Sequence, residues 1–154
     1  MKKILVLLSG VFLSLAGVSG AANAQDGMTI VPSPHDVATT MDKLEAIVTE
    51  KGMTVMARVN HAAGAKKADM DLRPTQVLIF GNPKVGTPLM LCSQSIAIDL
   101  PQKMLVWQAE DGKVFLAFND PEYLKARHST EGCDEVFAKV SGALNNFAKA
   151  ATAP

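Results

Sequence analysis

Two short segments of this chain are apolar at consecutive positions: Val77-Leu78-Ile79-Phe80 and Val114-Phe115-Leu116-Ala117-Phe118. A strand points alternate side chains to opposite faces, so both segments require cover on two sides. Around them lie two long amphipathic patterns. Val37, Met41, Leu44 and Val48 recur at helical spacing and stop at Gly52, and Val136, Phe137, Val140, Leu144 and Phe147 stripe a last helix over 133–149. Two such helices can cover one face of a sheet. The other face must meet inserted segments, a second copy of the chain or an apolar ligand.

The remaining elements fall between these. Residues 28–31 predict a first strand, and Ser33-Pro34-His35-Asp36 opens the first helix, with Ser33 as cap and Pro34 at the first helical position. Residues 53–60 alternate, placing Met53, Val55, Ala57 and Val59 on one face of a half-buried strand. His61-Ala62-Ala63-Gly64 begins a charged connection with a helical turn, and 76–80 is the next strand. Thr87-Pro88 reads as the cap and first position of a short helix running toward Ala97. Strands 103–109 and 113–119 join through Asp111-Gly112, a hairpin signal, and Asp120-Pro121 caps a helix ending at Arg127-His128. The order is strand, helix, four strands, helix. It predicts an α+β fold, a mainly antiparallel sheet with helices segregated to one face.

The first 24 residues read as an address. Lys2 and Lys3 precede an apolar run over 4–15, and Ala22-Asn23-Ala24 supplies a small-x-small cleavage site. The expectation is a cleaved signal peptide, residues 1–24, and one exported domain, residues 25–154, periplasmic or secreted and without a membrane span after cleavage. Removing 24 of 154 residues leaves 130, with 13 basic side chains against 15 acidic ones. Without a basic face to collect phosphates, nucleic acid is not an expected partner. Cys92 and Cys133 make an even count, which in an exported chain favours a disulfide; the alternative is a reactive thiol.

No motif names a chemistry. A strand leading into Gly81, four residues and Gly86 lacks the lysine of a phosphate loop. His35, His61 and His128 show no ligand-pair spacing, and the methionines fall on apolar faces, so neither a metal nor another cofactor is expected. Ser93 and Ser95 carry no nucleophile-elbow pattern, so no Ser-His-Asp arrangement is read. Asp99-Leu100-Pro101 and Asn119-Asp120-Pro121 are first of all turn and cap chemistry. Their second reading, with Asn82 and His61 from other loops, is a shared polar ligand site of His61, Asn82, Asp99 and Asn119.

Several motifs in order resemble a known family. Phe80-Gly81-Asn82-Pro83-Lys84, Gly86-Thr87-Pro88-Leu89-Met90, Ile98-Asp99-Leu100-Pro101, Phe118-Asn119-Asp120-Pro121 and Arg127-His128 are similar to domain of unknown function 302, over about residues 36–144. Phe118 stands where that family more usually carries Tyr. The resemblance implies a TATA-binding-protein-like α+β arrangement and a homodimer, and no activity. The expected function is therefore a non-catalytic small-ligand-binding or accessory protein. The rival is a periplasmic enzyme, or a redox or metal protein, using His61 or His128 with a cysteine.

Overall fold

The computed structural model of the protein describes residues 27–154. The expected signal peptide, residues 1–24, lies outside the described residues. In chain order the elements are β1 (Met28–Ser33), α1 (Val37–Glu50), β2 (Thr54–Asn60), α2 (His61–Lys67), β3 (Thr75–Gly81), α3 (Pro83–Cys92), a 3-10 segment (Gln94–Ile98), β4 (Gln102–Gln108), β5 (Val114–Asn119), α4 (Pro121–His128) and α5 (Asp134–Ala151). The five strands form one sheet in the order β1-β5-β4-β3-β2, and every neighbouring pair is antiparallel. This is the expected α+β class.

The long helices α1 and α5 lie on one face of the sheet and against each other. Met41, Leu44 and Val48 of α1 are fully buried, as are Leu78 of β3, Met104 and Val106 of β4 and Leu116 of β5. Each such side chain contributes about 1.5–3 kcal/mol by leaving water. Between them, Val77, Ile79, Leu105, Trp107 and Phe115 point to the helix-free face and remain half-buried. The register aligns Ile30, Ala117, Leu105, Val77 and Val59 in one apolar row across all five strands.

Four local expectations are corrected. Ser33 ends β1 instead of capping α1, its Oγ sitting 2.7 Å from that of Thr40; the cap is Asp36, and Pro34 precedes the helix. The short helix after β3 starts at Pro83 and not at Thr87-Pro88, because Asn82 accepts the Lys84 N–H at 2.9 Å and so caps it earlier. Pro88 then lies inside α3, where its missing N–H forgoes a bond to the Lys84 carbonyl. In β2 the register slips between Val55 and Ala57, which makes Met56 the extra residue of a bulge. Val55 stays under the helices opposite Phe80, while Ala57 and Val59 cross to the open face opposite Ile79 and Val77. Arg58 thereby turns toward α1 and reaches Asp42 at 2.6 Å and Glu45 at 3.1 Å.

Two glycines hold required left-handed positions. Gly52, φ +75°, follows α1, and Gly112, φ +83°, turns the β4–β5 loop, where Ala109 N–H donates to the Lys113 carbonyl at 2.8 Å. The cap at Asp36 has a pH consequence. The Thr39 N–H, donated at 2.7 Å, holds its carboxylate below the ordinary 3.8, so the folded state binds this proton less readily than the unfolded chain. Its contribution is complete above that value and is lost as pH falls through the lower, folded one. Asn also caps but does not titrate there. Asp36→Asn is therefore expected to flatten part of the fall in melting temperature between about pH 5 and pH 2; parallel curves for variant and wild type would refute the assignment.

Candidate functional site

The ends of β2, β3 and β4, the helix α3 and the C-terminal half of α5 enclose a cavity of about 320 Å³. Met53, Met56, Phe80, Met90, Leu100 and Phe147 are among its large apolar lining residues, and Asn82, Thr87 and Gln102 are its polar lining side chains. Local sequence builds it. The β2 bulge leaves Met56 beside the opening, and Gly81 and Gly86 present no side chain to it: a Cβ on Gly81 would sit 3.5 Å from Pro101 and 3.6 Å from Met56. Phe80 and Phe147 meet edge to face, with ring centroids 6.1 Å apart.

The four residues expected to share a polar site divide between the two ends of the sheet. Asn82 follows Gly81, which pairs with Thr54 at the start of β2, whereas His61 follows Asn60 at its end. Six residue steps along β2 put these ends roughly 20 Å apart. His61 therefore does not join Asn82, Asp99 and Asn119, which all lie at the other end. The physical reason is strand direction: both residues follow strand ends, but antiparallel strands end on opposite sides. Even the remaining three do not converge on one concavity. Asn82 lines the cavity, yet its amide is occupied, accepting from Lys84 N–H and donating to the Gly52 carbonyl at 2.9 Å. Asn119 ends β5 opposite Met28. Asp99 belongs to a different polar cluster.

That cluster joins the 3-10 segment to the end of α4. One Asp99 carboxylate oxygen lies 2.6 Å from His128 Nε2, and the other accepts from Arg127 at 3.2 Å. Nδ1 of the same imidazole is 2.8 Å from Ser95 Oγ, which is 3.0 Å from Ser93 Oγ. The His128 and Asp99 side chains are only 6% and 11% exposed, so water competes little for these bonds. A Ser-His-Asp arrangement is thus present although no spacing announced it. Its members stand 33 and 29 residues apart, brought together by packing of α4 on the 3-10 segment.

Cys92 and Cys133 form a disulfide, with Cα atoms 6.3 Å apart, which ties the end of α3 to the start of α5. In this state neither cysteine offers a thiol to His61 or His128. Among the described residues, no group of three or more His, Cys, Asp or Glu could hold a metal ion, and no helix is long and apolar enough to cross a membrane.

Comparison with known proteins agrees with this fold. A crystal structure of an uncharacterised conserved DUF302 protein from Bacillus stearothermophilus superposes with a TM-score of 0.74 at 17% identity, covering 81% of this chain and 98% of that one. It shares the fold. Proteins named fluoride-specific ion channel FluC 1 from Brucella suis biovar 1 (strain 1330) and FluC 2 from Brucella melitensis biotype 1 are each 45% identical over 109 residues. That stretch is 71% of this chain but only 43% and 40% of the two relatives, so the chain spans less than half of their length. The family described as domain of unknown function DUF302 matches residues 29–147. Family match, motif order and superposed fold agree, and this chain belongs to the DUF302 family.

Proposed function

We propose that this protein is an exported binding or accessory domain that holds a small apolar ligand in the cavity between α3, α5 and the ends of β2–β4. The observation that carries the reading is the cavity itself: about 320 Å³, with an apolar wall that includes Met, Leu and Phe side chains and few polar groups. That volume sits at the small end of ligand pockets, about 300–1,000 Å³, which are mostly apolar with a few orienting polar groups. Met53, Met56 and Met90 suit such a role, since unbranched thioether chains adapt to different apolar shapes. Of the four expected polar residues, Asn82 is the one retained at this site.

Titration with N-phenyl-1-naphthylamine is the direct test, because its fluorescence rises on entering an apolar site. One probe per chain is expected. Ala143→Trp, placing an indole on the cavity wall, should weaken binding about tenfold or more. No enhancement with the wild type, or equal enhancement with the variant, would refute the reading.

The second part of the proposal is a homodimer joined through the helix-free sheet face. The row from Ile30 to Val59, half-buried apart from the buried Ala117 and the exposed Val59, has Trp107 and Phe115 beside it at 5.5 Å between ring centroids, and a partner's matching row would complete its cover. Light scattering is expected to give twice the chain mass at micromolar concentration, and Leu105→Lys to give the single mass. A wild-type monomer would end this part and leave the cavity untouched. Export itself is tested by N-terminal sequencing of the protein from its source, where Gln25 is the expected first residue.

A second reading follows from the Brucella relatives, in which a stretch 45% identical to this chain lies in a longer protein named as a fluoride channel. On that reading the domain acts beside a membrane transport protein. Deleting its gene should then raise sensitivity to fluoride; unchanged growth would count against it.

A further inference from the structure

We propose that Ser95 is a nucleophile, activated by His128 and Asp99, that takes the acyl group of a small carboxylic ester. This goes beyond the binding reading, and none of the three side chains belongs to the cavity wall.

Hydrogen-bond donors and acceptors assign the protons in this cluster. An ionised carboxylate only accepts, so Asp99, 2.6 Å from Nε2 of His128, requires the proton on that nitrogen. In the neutral imidazole Nδ1 is then the lone-pair nitrogen. It faces Ser95 Oγ at 2.8 Å and must accept its hydroxyl proton. Ser93, 3.0 Å from Ser95, consequently donates to Ser95 and leaves its proton aimed at the imidazole. The tautomer is fixed by one neighbour and the base is delivered to the other. Arg127, holding the second oxygen of Asp99 at 3.2 Å, is a positioning residue that stops the carboxylate from rotating away. Burial protects the base and its orienter, while Ser95 itself is exposed and open to a substrate. A nucleophile, a base within hydrogen-bond reach and a third group orienting that base are the three parts of an acyl-transfer centre.

The step balances without another reactant. Ser95 Oγ bonds to the ester carbonyl carbon as its proton passes to Nδ1, and the C–O bond to the alcohol breaks as that alkoxide takes the proton back. Water then repeats the sequence, with Ser95 as leaving group and the carboxylic acid as product.

The test uses the disulfide-intact protein and a fluorophosphonate probe, which traps activated serines by losing fluoride. One adduct per chain is expected on Ser95 by peptide mass spectrometry, with none on heat-denatured protein. Ser95→Ala should abolish it. Asp99→Asn presents an amide that can donate to Nε2 and turn the imidazole to the other tautomer, so labelling should slow on the order of 10²-fold or more. Both variants are to be compared at unchanged melting temperature, and p-nitrophenyl acetate turnover should follow the same order. A bond network that only holds α4 to the 3-10 segment would not move labelling. The proposal is overturned if no adduct forms, if the adduct survives Ser95→Ala, or if a folded Asp99→Asn protein labels at the wild-type rate.

Discussion

Reduction of the Cys92–Cys133 bridge is expected to cost about 4 kcal/mol of stability, from the chain-entropy relation applied to a separation of 41 residues. The bridge restrains the unfolded chain, and it does so between α3 and α5, two elements that otherwise meet across the cavity. At this size the loss corresponds to roughly 10–20 °C in melting temperature. Thermal unfolding of the oxidised protein, the reduced protein and the Cys92→Ala/Cys133→Ala double variant measures it. The two thiol-free or thiol-reduced forms should agree. A shift of only a degree or two would mean that the unfolded chain is not freed by losing the bridge.

A comparable loss is expected in the core. Leu44 of α1 is fully buried among the strands and α5, and Leu44→Ala should destabilise by about 2–5 kcal/mol through lost transfer energy and the cavity left behind. Leu44→Met keeps the volume and should cost less than about 1.5 kcal/mol. Denaturant unfolding separates the two. Equal effects would show that α1 repacks on the sheet instead of being fixed to it.

Local signals carried much of the candidate site's surroundings and little of the site. The cavity wall uses residues that periodicity marks only as apolar, so Met53, Phe80 and Phe147 read as core. What makes them a wall is their convergence with Met56 and α3 around space that no side chain fills. His61 and Asn82 looked alike as polar residues after strands, and only strand direction separates them. The Ser95–His128–Asp99 cluster was invisible for a related reason. Hydrogen bonds between residues 29 and 33 apart have no spacing rule, since they depend on where α4 docks.

By itself the sequence determined the element order, the α+β class and the antiparallel sheet, because these rest on interactions within one element or across one turn. Alternation and helical spacing, Asp111-Gly112 and the Asp120-Pro121 cap all act within a few residues. It also required cover for two-sided strands such as 77–80. Helix starts were shifted where competing caps existed: Asp36 over Ser33, and Asn82 over Thr87, decided by which side chain reached a free backbone N–H. Only the tertiary structure decided which faces the strands present, which cysteine meets which helix and which polar groups become neighbours. Those outcomes depend on packing between segments distant in sequence, and a bulge of one residue is enough to exchange the two faces of a strand.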